Sequence, residues 1–570
     1  MVTSRRTFVQ QITALAGASF CGRGLLAEVD SGKSEPLRHA MDRAAACCLA
    51  WLNPEQQFLP TGGYEIAHDT GRWWDAMLRY EGATGVRIPA PIEEAMIKNL
   101  KTLTDNPAAL LMNTNRLPIP AEKIKVNPHN LRESMLTYTA LVNFRKDDWA
   151  VKQGRKLVEV MGSLLEPDGQ MDYEKLAALA GGPLTTDPLP TQRSPAGEWF
   201  NATASTGRAI EPIVSFYEAT DHAPALELAK RLAEVHMRQV IDSSGKVRAE
   251  LRDPSHVGHT HSYCGTLRGL LLYGIVSGER QYVDAVESTY RNGLWGTSIS
   301  HSGWTPHDQG KSRFHNQDGD PIGEHASCGD IAQIALWLAL PFGQTDLLDD
   351  VERLVRARLL PSQIVDEKNP RRDGAWGVYS HPFGYGAILD VFAAVLHSLT
   401  AIHMQSVWEP SFGPPRVRVA AVHLHFEADN WLFTVQSKRG SEASLVVTPK
   451  RIDSSAIPSI PGLEDAPKQL PSKPADDEVW LRIRVPSWAT REKVRLEMDG
   501  KSLPLRWEGS YLQVSKKEFE ARVPITLRYD LPARQTVEEM PVSHNKFNLT
   551  WKGDEVVSCD PKVPIYPARA

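Results

Sequence analysis

The apolar residues of this chain change their period near residue 410, and that change limits the folds open to it. Upstream, Ile331, Ile334, Ala335 and Leu338, and again Ile388, Val391, Phe392, Val395 and Leu399, follow the spacing of a helix with one buried face. Beyond the proline-rich turn Trp408–Pro415, Val417, Val419 and Ala421 alternate with Arg416, Arg418 and Ala420. The runs Val479–Trp488 and Ile525–Leu531 keep that strand-like alternation. The two periods require different partners, so a helical part precedes a β part.

Within the helical part, a helix repeatedly closes on an aromatic, breaks at Gly or Asp and restarts: Tyr80 to Gly85, Phe144 to Asp148, Tyr217 to Asp221, Tyr273 to Gly278. Roughly twelve helices paired this way predict an (α/α)6 toroid over residues 35–405. A β-sandwich over 416–570 completes an α+β multidomain chain, with an exposed, aperiodic insertion at 452–477.

At 570 residues the chain is too long for one ordinary core, which agrees with that division. Its 64 basic and 69 acidic residues give a net charge of -5 and no electropositive field, which argues against nucleic acid as a partner. Ser4-Arg5-Arg6-Thr7-Phe8, followed by an apolar run to Phe20 and small residues up to Ala27, resembles a twin-arginine export signal over 1–27. The expected destination is periplasmic or secreted, with no membrane span. Five cysteines beyond that leader make no disulfide framework, and Cys47-Cys48 reads as helix packing.

Between His256 and Asp330, ionisable residues crowd the starts of apolar helices, in HVGHTHSYCGTLRGLLLY, HSGWTPHDQG and GEHASCGD. Polar groups gathered at helix termini on a rigid scaffold are the composition of a functional site, although each alone is also compatible with capping.

LRIRVPSWA (Leu481–Ala489), VRLEMDGK, GSYLQV and LRYDLPAR (Leu527–Arg534) occur in the order found in the C-terminal sandwich of glycoside hydrolase family 127. THSYCGTLRGLLLY and GEHASCGDIAQIAL are similar to that family's site-bearing helices. The resemblance implies a six-hairpin glycosidase acting on carbohydrate, with a zinc held by a Glu-x-Cys pair and a later Cys-Cys pair that supplies the nucleophile. This chain departs from that pattern. Three residues separate Glu324 from Cys328, and Tyr379–Gly386 has no cysteine where the second pair should fall.

Without a thiolate, hydrolysis needs two carboxyl groups, one as acid and one as nucleophile or base. Glu324, Asp308 and Asp330 are the catalytic candidates, with Glu198, Asp75 and Asp373 behind them. His259, His261, Arg268, His307 and His381 are expected to contact substrate, beside Trp199, Trp304 and Trp376 as stacking surfaces, with Trp73-Trp74 and Phe200 as further aromatics. No cofactor is expected; the zinc alternative would use Glu324 and Cys328, with His325 and His381 to complete it. Two other functions fit the same residues: a polysaccharide lyase using Tyr263, His261, His259 and Arg268, and a non-catalytic carbohydrate-binding protein.

Overall fold

The computed structural model describes residues 37–563 and Tyr566, except 115, 118, 167–170, 185–201, 243–257, 297, 310–311, 313, 380–384, 409–418, 431 and 451–477. The export signal expected at 1–27 and the insertion expected at 452–477 lie outside the described residues.

Twelve helices build the ring: α1 (Leu37–Ala50), α2 (Ile66–Thr84), α3 (Ala90–Leu103), α4 (Asn130–Arg145), α5 (Asp148–Leu164), α6 (Ile210–Thr220), α7 (Ala223–Val240), α8 (Thr260–Ser277), α9 (Arg280–Thr289), α10 (His325–Phe342), α11 (Leu347–Leu354) and α12 (Leu389–Gln405). The even-numbered helices pack side by side in a closed inner circle, and the odd-numbered ones form the outer layer. Burial pattern assigns each layer. Helix α5 buries one stripe, Ala150, Gly154, Leu157, Val158, Met161 and Leu164, whereas α8 and α10 are buried on every face for most of their length. Inner helices approach closely: a Cβ on Gly71 of α2 would lie 2.6 Å from Glu133 Cβ of α4.

The two ends of the inner helices differ. Their C-termini turn into the next outer helix through 85–89, 146–147, 221–222, 278–279 and 343–346. Each of these links begins with a left-handed residue: Gly85, Lys146, Asp221, Gly278 or Gly343. The aromatic-to-Gly or aromatic-to-Asp breaks in the sequence are these turns. The inner N-termini are reached by long connections, 51–65, 104–129, 165–209, 241–259, 290–324 and 355–388, so functional loops gather at that end.

After α12 the chain forms two facing sheets. One orders its strands 501–502, 495–498, 525–530, 442–449, 433–439, 428–429, and the other 507–508, 511–515, 479–484, 420–422, 407–408. Leu445, Val447, Leu481, Ile483, Leu512 and Leu527 fill the space between them. The expected sandwich is present, but it does not extend to the C-terminus. Residues 533–560 form a separate three-stranded antiparallel sheet, whose Leu549 and Trp551 pack with Ala357 and Trp304 of the ring. A buried Arg484–Glu352 pair at 2.5 Å and an Arg356–Asp554 pair at 2.7 Å tie the β part to the ring.

Candidate active site

The N-cap positions of four inner helices carry Glu65 (α2), His129 (α4), His259 (α8) and Glu324 (α10), and none of these side chains caps its own helix. Ser, Thr, Asp or Asn in such positions stabilises a helix by about 1 kcal/mol. Here that stabilisation is forgone and the side chains turn to other partners.

Extended segments align three of the site residues. Thr260 N donates to His307 O, His307 N to Ile322 O and Glu324 N to Thr305 O, at 2.9, 2.8 and 3.0 Å. His307 is thus held between the approaches to α8 and α10, and Glu324 pairs in turn with the strand Gly377–Tyr379. In this frame His259 Nε2 lies 2.9 Å and His307 Nε2 3.6 Å from Glu324 Oε2. The two imidazoles lie with centroids 4.6 Å apart. Their far nitrogens are also engaged: His259 Nδ1 is 2.9 Å from Ser262 Oγ and His307 Nδ1 is 3.0 Å from Asp308 Oδ1. Glu324 itself is 2 % exposed, at the positive end of α10.

Behind this centre runs a buried circuit of alternating carboxylate, imidazole and guanidinium. Asp75 accepts from Arg79 (2.7 Å) and from His397 Nδ1 (2.5 Å), and Arg268 donates to His397 Nε2 (2.7 Å) and to Asp330 Oδ1 (2.7 Å). Asp330 Oδ2 meets His261 Nδ1 at 2.6 Å, and Arg72 donates to His261 Nε2 at 2.8 Å, which returns the circuit to α2. Arg268 also reaches Glu211 of α6, and Glu133 of α4 collects Arg72, Arg132 and Arg208, so all six inner helices are joined. Burial alone would raise Glu133, but His68 and these arginines hold it well below the usual carboxylate range. Burial, then Arg208 and Arg72, depress His261.

A second group closes the same end of the ring. His68 of α2 stands 3.8 Å from Asp390 of α12, and its ring neighbours His129. Burial lowers His68 to about 4. Asp69 is the opposite case: burial, then Asp390 and Glu65, raise it well above the ordinary carboxyl range. Tyr64, 40 % exposed, rests edge-on against His68, and Phe314, 48 % exposed, against His307. Among the described residues these are the only exposed phenylalanine, tyrosine or tryptophan rings.

No protein-family model matches the sequence, and no curated protein matches it either. Solved structures do. A glycoside hydrolase, 13 % identical, matches over 92 % of this chain and 81 % of its own with a TM-score of 0.56. A GH127 β-arabinofuranosidase, 11 % identical, matches over 98 % and 83 % with 0.54. Ara127N, a GH127 β-L-arabinofuranosidase from Geobacillus stearothermophilus T6, 12 % identical, matches over 98 % and 85 % with 0.51. The fold is that of the GH127 enzymes.

Among the described residues, Cys328 stands in no cluster of three or more metal-ligating side chains. Cys328 is fully buried in the first turns of α10, its Sγ 3.2 Å from where a Cβ on Gly303 would lie, and burial pushes its thiol up to about 12. His325, expected beside it, instead holds the Gly377 carbonyl at 2.8 Å and is lowered to about 3 by burial. Tyr379 and Tyr385 lie in two short paired strands, 377–379 and 385–387, the first of which also pairs with Gly323 and Glu324.

The structure brings Glu324, His259, His307 and Asp308 together. Asp308 is a buried carboxylate whose Oδ1 stands 3.0 Å from His307 Nδ1. Asp330, His261 and Arg268 belong to the buried circuit, where both Asp330 oxygens and both His261 nitrogens are engaged, so they stand behind the centre. Tyr263 donates to Val240 O in the core, away from any lyase role. Trp376 is fully buried and donates to Leu359 O, Trp304 packs against the last sheet, and Trp73 and Trp74 stack edge-on inside the ring. Asp75 is held by His397 and Arg79, and Asp373 by Arg43. Glu198, Trp199, Phe200 and His381 lie outside the described residues.

Sequence reasoning missed Glu65, His68, Asp69, His129 and Asp390. Their mark was present, because EIAHD and NPHN place ionisable residues at helix starts just as GEHAS does.

Proposed function

We propose that this chain is an exported glycoside hydrolase acting on a plant- or algal-type poly- or oligosaccharide. The observation that carries this reading is the pairing of the two exposed aromatic rings, Tyr64 and Phe314, with the imidazoles of a buried acid-base centre. Exposed aromatic faces set against imidazoles and carboxyl groups suit a sugar ring, and the GH127-like fold supports the same substrate class.

Hydrolysis of a glycosidic bond needs a proton for the leaving oxygen and an anionic group for the anomeric carbon or its attacking water. Asp69, which burial and then Asp390 and Glu65 keep well above the ordinary carboxyl range, is the protonated carboxyl and supplies the proton. Glu324, bonded to His259 and backed by the His307–Asp308 dyad, is the anionic group. The twin-arginine run at Arg5-Arg6 supports export.

The test is a screen of the mature chain against nitrophenyl glycosides and cell-wall oligosaccharides, with Glu324→Gln as the control. Release of a reducing sugar by the wild type and its loss in the variant are expected. Near wild-type turnover in the variant would sink the assignment of Glu324. A product absorbing in the ultraviolet as an unsaturated uronate would replace the hydrolase by a lyase.

A further inference from the structure

We infer that His259, His307 and Glu324 form a binding site for a divalent metal ion of the zinc class. The inference concerns three residues that do not reproduce the cysteine-rich GH127 set, and only Glu324 is common to both. Metal binding itself does not depend on the hydrolase reading, although such an ion would sit in the centre assigned to it.

The three side chains offer two imidazole nitrogens and a carboxylate oxygen, all within 4.8 Å of one another and all buried. Around a tetrahedral zinc ion with bonds near 2.0–2.1 Å, neighbouring ligand atoms stand about 3.3 Å apart. The observed 2.9 and 3.6 Å from Glu324 Oε2 to the two Nε2 atoms bracket that value. Two imidazoles and one carboxylate make the donor set of an open zinc site, with a position left for a further ligand.

The outer groups strengthen the case. Histidines that bind metal commonly donate their other ring N–H to a carboxylate or hydroxyl, which fixes the tautomer and the ring's aim. His307 Nδ1 has the Asp308 carboxylate and His259 Nδ1 has the Ser262 hydroxyl, so each ring turns Nε2 toward Glu324. The backbone bonds through Thr260, His307 and Glu324 set the three segments in place before any ion arrives.

The experiment is equilibrium dialysis of the full mature chain, stripped with chelator, against Zn²⁺ and against Co²⁺ as the spectroscopic probe. One Co²⁺ per chain is expected, with the visible absorption of a four- or five-coordinate ion, no thiolate charge-transfer band, and displacement by Zn²⁺. His307→Gln should weaken binding at least 100-fold and Asp308→Asn about 10- to 100-fold, whereas Cys328→Ser should not change it. Absence of a bound ion, equal binding by the His307 and Asp308 variants, or a thiolate band would each overturn the site. If His307→Gln does not fold, the wild-type cobalt spectrum and Asp308→Asn still decide. Metal bound without glycosidase turnover would overturn the hydrolase reading and leave the site standing. Full turnover by chain that binds no metal would do the reverse.

Discussion

The two ends of the inner helices are made of the same six helices and differ in what they do with a helix terminus. At the C-terminal end, Gly85, Lys146, Asp221, Gly278 and Gly343 take left-handed backbone and return an N–H to the helix, so the turns are short and satisfied. At the N-terminal end, Glu65, His129, His259 and Glu324 occupy cap positions without capping, and long connections bring further ionisable groups beside them. One end serves stability. The other gives up local stability to hold acids and imidazoles where a ligand can meet them.

That contrast can be broken by mutation at either end. The largest effect is expected from Glu324→Gln, which should lower kcat about 10³-fold while the melting temperature stays level or rises. A parallel loss of both would mean that Glu324 is structural.

Next comes Asp69→Asn, with kcat lowered about 10²-fold and a distinct stability profile. The folded-state pKa of Asp69 is raised by burial, so its contribution to stability is complete below the unfolded value near 3.9 and is lost as pH rises through the folded one. The variant should therefore melt higher than wild type at neutral pH, and the gap should close toward pH 4. A pH-independent gap would contradict the shift.

Smaller again, Tyr64→Ala and Phe314→Ala should each raise KM about tenfold, a loss of about 1.4 kcal/mol in binding, with little change in kcat. Inhibition constants for product sugars would check that the loss is in binding.

At the opposite end, Gly278→Ala at φ 82° should cost about 1 kcal/mol of stability and leave turnover unchanged. Asp221→Gly, which relieves a left-handed aspartate at φ 52°, should stabilise by a similar or smaller amount. Thermal unfolding reads both. A change of activity in either would blur the division between the ends.

Much of the stable end was legible in the sequence. The aromatic-to-Gly and aromatic-to-Asp breaks marked the turns, and the change of period marked the passage to the sheets, because both are local in the chain. The candidate site was legible where a single stretch carried it, from His259 to Glu324. It was not legible where it depended on distant segments meeting. Nothing local to Asp330 says that Arg268 and His261 will occupy both its oxygens, and nothing local to Asp69 says that Asp390, more than 300 residues later, will lie beside it. Trp304 and Trp376 failed as stacking surfaces for the same reason: a tryptophan near a loop reads alike whether it faces a cleft or a neighbouring sheet.

The connection that carries His307 is held from outside the ring. Glu538 accepts from Ser302 N and Oγ at 2.8 Å, and Asp320 accepts from Val542 N and Ser543 N at 3.0 and 2.9 Å, so the last sheet grips this connection on both sides of His307. Glu538 lies 133 residues beyond Gln405, the end of α12. A chain clipped before residue 533 would therefore keep every ring helix in its sequence and lose the outer supports of His307.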